Sequence, residues 1–269
     1  SDETKKYLDD NNVKLIDVSE YETILNGLSV AIICTPTNTH YPIIITCLKH
    51  RLHVFTEKPI SLDLNEINDC YDLADDVDRR LLCAFNRRFD PYIMKLYNYC
   101  KLRDDKPNQI ITISRDYPYP SADYLSISGG LYQDCIIHDI DIICWTLDEY
   151  PTHVSSVGTQ TTPNEKNMGN IDHCTTILKF ASGTMATIIS SRISTSYDQR
   201  IQYMFDDGCY YVDNFPESPI SFRERYHESY VNELAFLCGH IINEATDITV
   251  NKEDCINAYK ICEHAKESH

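Results

Sequence analysis

Glycine is scarce in this chain, with 8 in 269 residues and the first of them at Gly27. No G-x-G-x-x-G turn can be written from so few, so the phosphate-cradling loop that usually opens a dinucleotide-binding fold is missing from the text. Long apolar runs are absent too. Nothing approaches the ~18 to 20 residues that span a bilayer, and no membrane partner is expected. Basic residues are outnumbered, 24 against 41 acidic ones, for a formal net charge of −17. A field of that sign repels phosphate backbones, so nucleic acid is not an expected partner. Among 12 cysteines no C-x-x-C pair occurs. Cys255 and Cys262 with nearby His264 match no structural zinc spacing, and no metal is expected. The thiols, scattered through strand-like and helix-like runs, read as buried and reduced, which points to the cytoplasm. The first residues, SDETKKYLDD, show neither a signal nor a transit pattern.

What is present is ordered punctuation. From Ser29, SVAIICT, HVFTEKP and LLCAF read as apolar strands, separated by the helix-like HYPIIITCLKH and LDLNEINDCYDLADD. Strand and helix in alternation predict a parallel, doubly wound sheet, with ligands at the strand carboxyl ends near Thr35, Thr56 and Phe85. After Asn86 the text changes. DPYIMKLYNYC is a linking helix, and QIITISRD, HVSSVGTQ, HCTTILKF, GTMATIISSRI, QRIQYMF and CYYVDN are strands broken by turn signals such as ASG and DDG. A polar loop is expected over 162–170, and helices over 224–243 and 252–266. The expected fold is α/β: a truncated Rossmann-like parallel sheet over 1–88, then an α+β domain over 89–269 with a large, mostly antiparallel sheet.

GGLYQDCIIHDID, residues 129–141, sets Asp134, His138 and Asp141 among isoleucines. In a helix from about Gly130 to Leu147, at ~100° per residue, His138 lies about 40° from Asp134, and Asp141 about 20° from it on the other side. The three form one narrow stripe, and apolar residues surround it, so the stripe is expected to line a cleft. On these residues alone it reads equally well as a structural histidine satisfied by two carboxylates.

Two further stretches sit at strand ends. CTPTNTH, residues 34–40, offers small hydroxylic residues and a helix start to a phosphate or ribose, although capping alone calls for the same residues. In TEKP, residues 56–59, the proline disfavours helical backbone at Lys58 and fits a cis or tight turn that aims the lysine into the crevice. A surface turn with an ion pair is the alternative.

Taken together, CTPTNTH, HVFTEKPISLDL, FNRRFDP, SRDYPYPSADYLSISGGLYQDCIIHDIDI, SYDQR, VDN and ERYHESYVNEL resemble the Gfo/Idh/MocA oxidoreductases, from about residue 12 to the C-terminus. The resemblance implies NAD- or NADP-dependent oxidation of a secondary hydroxyl of an inositol, another cyclitol or a sugar. It implies Lys58, Asp134 and His138 as the catalytic set. Thr35, Pro36, His40 and Glu57, with Lys58, would surround the dinucleotide, and Asp116, Asp141 and Tyr197 would meet the polyol. It also implies homo-oligomers built through the C-terminal sheet. In this picture an imidazole near pKa ~6.5 takes the hydroxyl proton, Asp134 holds the ring's tautomer, and Lys58 stabilises the developing alkoxide.

The family begins with a strand, a glycine-rich turn and a helix that hold the pyrophosphate, a unit of ~30 or more residues that this text lacks. Impaired dinucleotide binding is therefore an expectation. Either the chain has lost an upstream segment that its gene encodes, which the absent initiator Met favours, or it is a non-catalytic truncated homologue serving as a binding or oligomeric assembly module.

Overall fold

A computed structural model describes residues 6–8, 10–163, 169–213, 221–242 and 250–269. The centre of the expected 162–170 loop, Asn214 of VDN and the last residue of the expected 224–243 helix lie outside the described residues.

Three short apolar strands make the first sheet: β1 (Val30–Ile33), β2 (His53–Glu57) and β3 (Leu81–Ala84). They lie parallel in that order, with Val30 opposite His53 and Val54 opposite Leu81. Helices α1 (His40–Lys49) and α2 (Leu64–Asp76) make the crossovers. Asp63 caps α2 by accepting from the Asn65 N–H at 2.7 Å. Crossovers of this kind leave all strand carboxyl ends on one rim, where the residues after Ile33, Glu57 and Ala84 emerge together.

α3 (Pro91–Lys101), with Pro91 in its first turn and Asp90 as its cap, leads to the second sheet. Its strands are β4 (Gln109–Arg115), β5 (His153–Thr159), β6 (His173–Lys179), β7 (Met185–Ser191), β8 (Asp198–Phe205) and β9 (Gly208–Asp213). Their order is β5-β6-β7-β4-β8-β9, antiparallel throughout except between β4 and β7. A short α4 (Ala122–Ile127) precedes the segment of interest. Among the described residues β9 is followed by a single helical turn at Phe222–Arg225 and then by α6 (His227–Ile242) and α7 (Lys252–Glu267).

The structure keeps the expected helical span from Gly130 to Leu147 but corrects its regularity: Tyr132–Ile136 form a π-helical turn within it, and α5 (Ile137–Leu147) is the part that follows. α5 is buried along most of its length, its Asp139 and Asp141 included: Ile137, Ile140, Ile143 and Leu147 are each at most 1% exposed. Each such isoleucine contributes roughly 1.5–3 kcal/mol relative to exposure. These residues join Val54, Leu81, Ile93, Leu178 and Tyr203 in one continuous core beneath both sheets. α5 and the turn before it are thus held rigidly against the rim of the first sheet. No helix among the described residues is long and apolar enough to cross a membrane.

The cysteine reading needs one correction. Eight thiols are buried, including Cys255 and Cys262, but Cys34, Cys209 and Cys238 are exposed. Cys255 Sγ meets the Tyr71 hydroxyl at 3.1 Å, and Cys262 donates to the Tyr132 carbonyl at 3.3 Å.

Candidate active site

A cleft of about 460 Å³ opens at the carboxyl rim of β1, β2 and β3, roofed by the start of α5 and by α6. Thr35, Pro36 and His40 reach it from the loop after β1, and Glu57 and Lys58 from the turn after β2. The peptide joining Lys58 to Pro59 is cis. His40 is 1% exposed, and its ring nitrogens stand 2.8 Å from the Pro59 carbonyl and 2.9 Å from that of Thr35. The histidine expected beside a dinucleotide therefore also clamps the β1 loop to the lysine turn.

Lys58 is aimed inward at residues 76 positions away in sequence. Its Nζ donates to the Asp134 carbonyl at 2.6 Å and to Asp134 Oδ1 at 2.9 Å. A π-turn re-aims side chains and carbonyls at the place where it interrupts a helix, and here it presents both oxygens of Asp134 to one ammonium. The carboxylate also accepts from the Tyr124 hydroxyl at 2.8 Å and from Arg192 Nη2 at 3.0 Å. Burial works against the carboxylate's charge, but Lys58 and Arg192 outweigh it and hold its pKa below the usual range. Burial likewise works against the ammonium, and Asp134 outweighs it, leaving Lys58 above its ordinary value.

His138 lines the same cleft, its ring edge-on to Phe85 at 6.2 Å. Its Nδ1 is buried without a hydrogen-bond partner among the described residues. The expected pairing of Asp134 with this ring is thereby corrected: Asp134 is committed to Lys58, Tyr124 and Arg192, because the π-turn displaces it from the helical stripe. The expected ordinary pKa is corrected too. Burial, reinforced by the charges of Lys58 and Arg87, holds His138 well below 6.5.

Of the expected substrate residues, Asp116 and Tyr197 line the cleft and Asp141 does not. Asp141 is 3% exposed and is bound by Arg88, whose Nε lies 3.0 Å from Oδ2 and whose Nη2 lies 2.5 Å from Oδ1. An arginine of FNRRFDP claims it for the core. Asp116 Oδ2 accepts from Cys135 Sγ at 3.0 Å, and the Tyr197 ring packs 6.0 Å from those of Phe222 and Tyr226. Sequence reasoning missed Tyr124, Arg192, Asn86 and Arg87. Only the last two had a visible signal, since FNRRFDP follows directly on a strand carboxyl end.

The residues present fit a nicotinamide and a hydroxylated ring. The cleft stands at the carboxyl rim of a parallel sheet, and besides His138 Nδ1, the Nδ2 of Asn86 is buried at its wall without a partner. Buried polar atoms left without partners are uncommon and point to a ligand that supplies them.

Comparison with known proteins agrees with this arrangement. Residues 2–85 match the model of the oxidoreductase family with an NAD-binding Rossmann fold, and residues 107–211 match the GFO/IDH/MocA C-terminal domain. The chain is 32% identical over 226 residues to the myo-inositol 2-dehydrogenase of Thermotoga maritima, covering 77% of this chain and 68% of that protein. It is 31% identical over 280 residues to the inositol 2-dehydrogenase of Rhizobium meliloti, covering 95% and 82%. A crystal structure of a myo-inositol dehydrogenase from Corynebacterium glutamicum superposes with a TM-score of 0.87 at 25% identity, over 98% of this chain and 84% of that one. Family models over both sheets, relatives above 30% identity and a shared fold lead to one conclusion: the chain belongs to the Gfo/Idh/MocA oxidoreductases.

Proposed function

We propose that this chain is an NAD-dependent dehydrogenase that oxidises a secondary hydroxyl of an inositol. The observation that carries the reading is the meeting in one cleft, at the rim of a parallel sheet, of Lys58, Asp134 and a His138 whose Nδ1 has no hydrogen-bond partner among the described residues. The relatives named above act on inositols, and the matched N-terminal model is NAD-binding.

Thr35, Pro36 and Glu57 would hold the nicotinamide end, with His40 fixing the loop that carries the first two. When bound, NAD supplies the acceptor for the hydride leaving the alcohol carbon. The chain's own residues manage the proton and the charge. His138, kept neutral by its surroundings, accepts the hydroxyl proton. Lys58 uses two N–H groups on Asp134, which leaves the third for the alcohol oxygen as negative charge develops there. Asp134 keeps Lys58 charged and directed, and Asp116 and Tyr197 would receive other hydroxyls of the ring.

The outward face of the second sheet carries Val157, 74% exposed, and Met185 and Ile177 at 45% and 39%. That exposed apolar strip supports a homo-oligomer formed through this sheet. Twelve free thiols support a reducing, cytoplasmic setting. Deuterium at the oxidised carbon of myo-inositol tests the reaction: label should arrive on the reduced nicotinamide, and its absence in a chain that binds NAD refutes the reading.

A further inference from the structure

Arg192 follows β7 and is 1% exposed, behind Asp134 as seen from Lys58. Its Nη2 donates to Asp134 Oδ2 at 3.0 Å, while Lys58 and Tyr124 hold Oδ1 at 2.9 and 2.8 Å. Two cations therefore bind opposite oxygens of one buried carboxylate. Nη1 stands 3.9 Å from Asp116 Oδ2, and both Nη1 and Nε are buried without hydrogen-bond partners among the described residues. If stability were all that this position served, a neutral donor would satisfy Oδ2 without burying two unpaired N–H groups and a second positive charge, each of which costs free energy.

We propose that Arg192 is a positioning residue that shares Asp134 with Lys58, loosening the lysine's hold on that carboxylate so that its ammonium can turn to an alcohol oxygen. The inference rests on the reading of Lys58 and Asp134 given above. With a single cation, a buried carboxylate and an ammonium close into a tight pair. A second cation on the far oxygen withdraws part of the carboxylate's charge and repels the first. The groups facing this trio are Glu57 beside Lys58, Cys135 and His138 after Asp134, Tyr124 of α4, Asp116 and Tyr119 beyond β4, and Cys262 of α7. Asp116 and Glu57 are the anions among them, and Asp116 is the one within reach of Arg192.

Removing a positive charge raises the pKa of every neighbour. Two cations bridged by one carboxylate are roughly 5–6 Å apart, so at an effective dielectric near 20 the shift at Lys58 should be about one unit or more. Competitive acetylation of Lys58 across pH, read by peptide mass spectrometry, measures its midpoint without any turnover. In Arg192→Met and Arg192→Gln that midpoint should rise by about one unit or more, and in Arg192→Lys, which keeps the charge, it should stay within about 0.3 unit of wild type. The alkaline limb of the pH profile of kcat/KM, set by the loss of the Lys58 proton, should move upward in the same two neutral variants and return in Arg192→Lys. Loss of a buried cation can cost the fold. The comparison is therefore repeated in Asp134→Asn, where Arg192→Met removes one of the two cations left on the amide and should again raise the Lys58 midpoint. An unmoved midpoint in a folded neutral variant, or an equal shift in Arg192→Lys, overturns the proposal. Failure of the wild type to oxidise inositol would count against the reaction and leave the shared carboxylate standing, because the labelling needs no catalysis.

Discussion

The carboxylate of Asp134 belongs to Lys58, 2.9 Å away across 76 residues of sequence, and not to the histidine one turn further along its own segment. The contact joins the turn after β2 to the π-turn before α5, so it couples the two sheets as well as two reacting groups. Asp134→Asn leaves two buried cations on an amide. It should cost about 3–5 kcal/mol of stability, the range found when one partner of a buried pair is removed. Lys58→Met in that background should recover part of the loss, and a double-mutant cycle by urea unfolding checks it. Additive losses would mean that the contact carries no coupling.

His138 gives a pH dependence of known sign. Its folded pKa lies well below the 6.5 of the free side chain, so the unfolded chain binds the extra proton first. The histidine's contribution is complete above pH 6.5 and is lost as pH falls below that value. Wild-type stability should decline on acidification from there, and His138→Gln should decline less over the same interval. The same shift keeps the imidazole neutral, so kcat/KM should show no acid limb near pH 6.5.

Glu233 of α6 is 3% exposed, with Oε1 unpartnered among the described residues. Burial, then the negative charges of Glu57 and Asp141, push its carboxyl up to about 9. A folded pKa above the unfolded one favours the fold fully below the ordinary carboxyl value of 4.5, and that advantage fades as pH rises toward 9. Glu233→Gln should therefore stabilise the protein by about 2 kcal/mol at neutral pH and by little near pH 4. Thermal unfolding at the two pH values decides it. An equal effect at both would show that the carboxyl is not held neutral.

The sheets were legible because apolar or alternating runs of four to eight residues between turn signals have few other readings, and both strand sets appear where SVAIICT, HVFTEKP, LLCAF and the six later runs lie. The site was half legible. Lys58, Asp134, His138, Asp116 and Tyr197 do meet in one cleft. Their pairing was hidden, since a helical wheel assumes one constant turn and Tyr132–Ile136 breaks it. Arg192 sits at a strand end with no spacing or motif to mark it. Asp141 looked like its neighbours in the stripe until Arg88, 53 residues earlier, took it into the core.

The paired glycines have separate structural reasons. Gly129 and Gly130 adopt φ of +80° and +81°. A Cβ on Gly130 would also stand 2.9 Å from Asn170 Oδ1. Gly130→Ala should cost about 1–2 kcal/mol from backbone conformation alone. It should also lower kcat by more than that loss of stability explains, because the turn it opens carries Asp134. Activity retained in proportion to folded protein would contradict the second part.

The central claim is that an ammonium from the first sheet's rim and an imidazole from α5 act on one alcohol. Inositol-dependent reduction of NAD, measured for wild type beside Lys58→Ala and His138→Ala with NAD affinity determined separately, tests it most directly. Turnover by the wild type, a loss of ~10² or more in kcat for each variant, and a dissociation constant for NAD within about twofold of wild type in His138→Ala are the predicted result. Unchanged turnover in either variant, or none in a wild type that binds NAD, would contradict it.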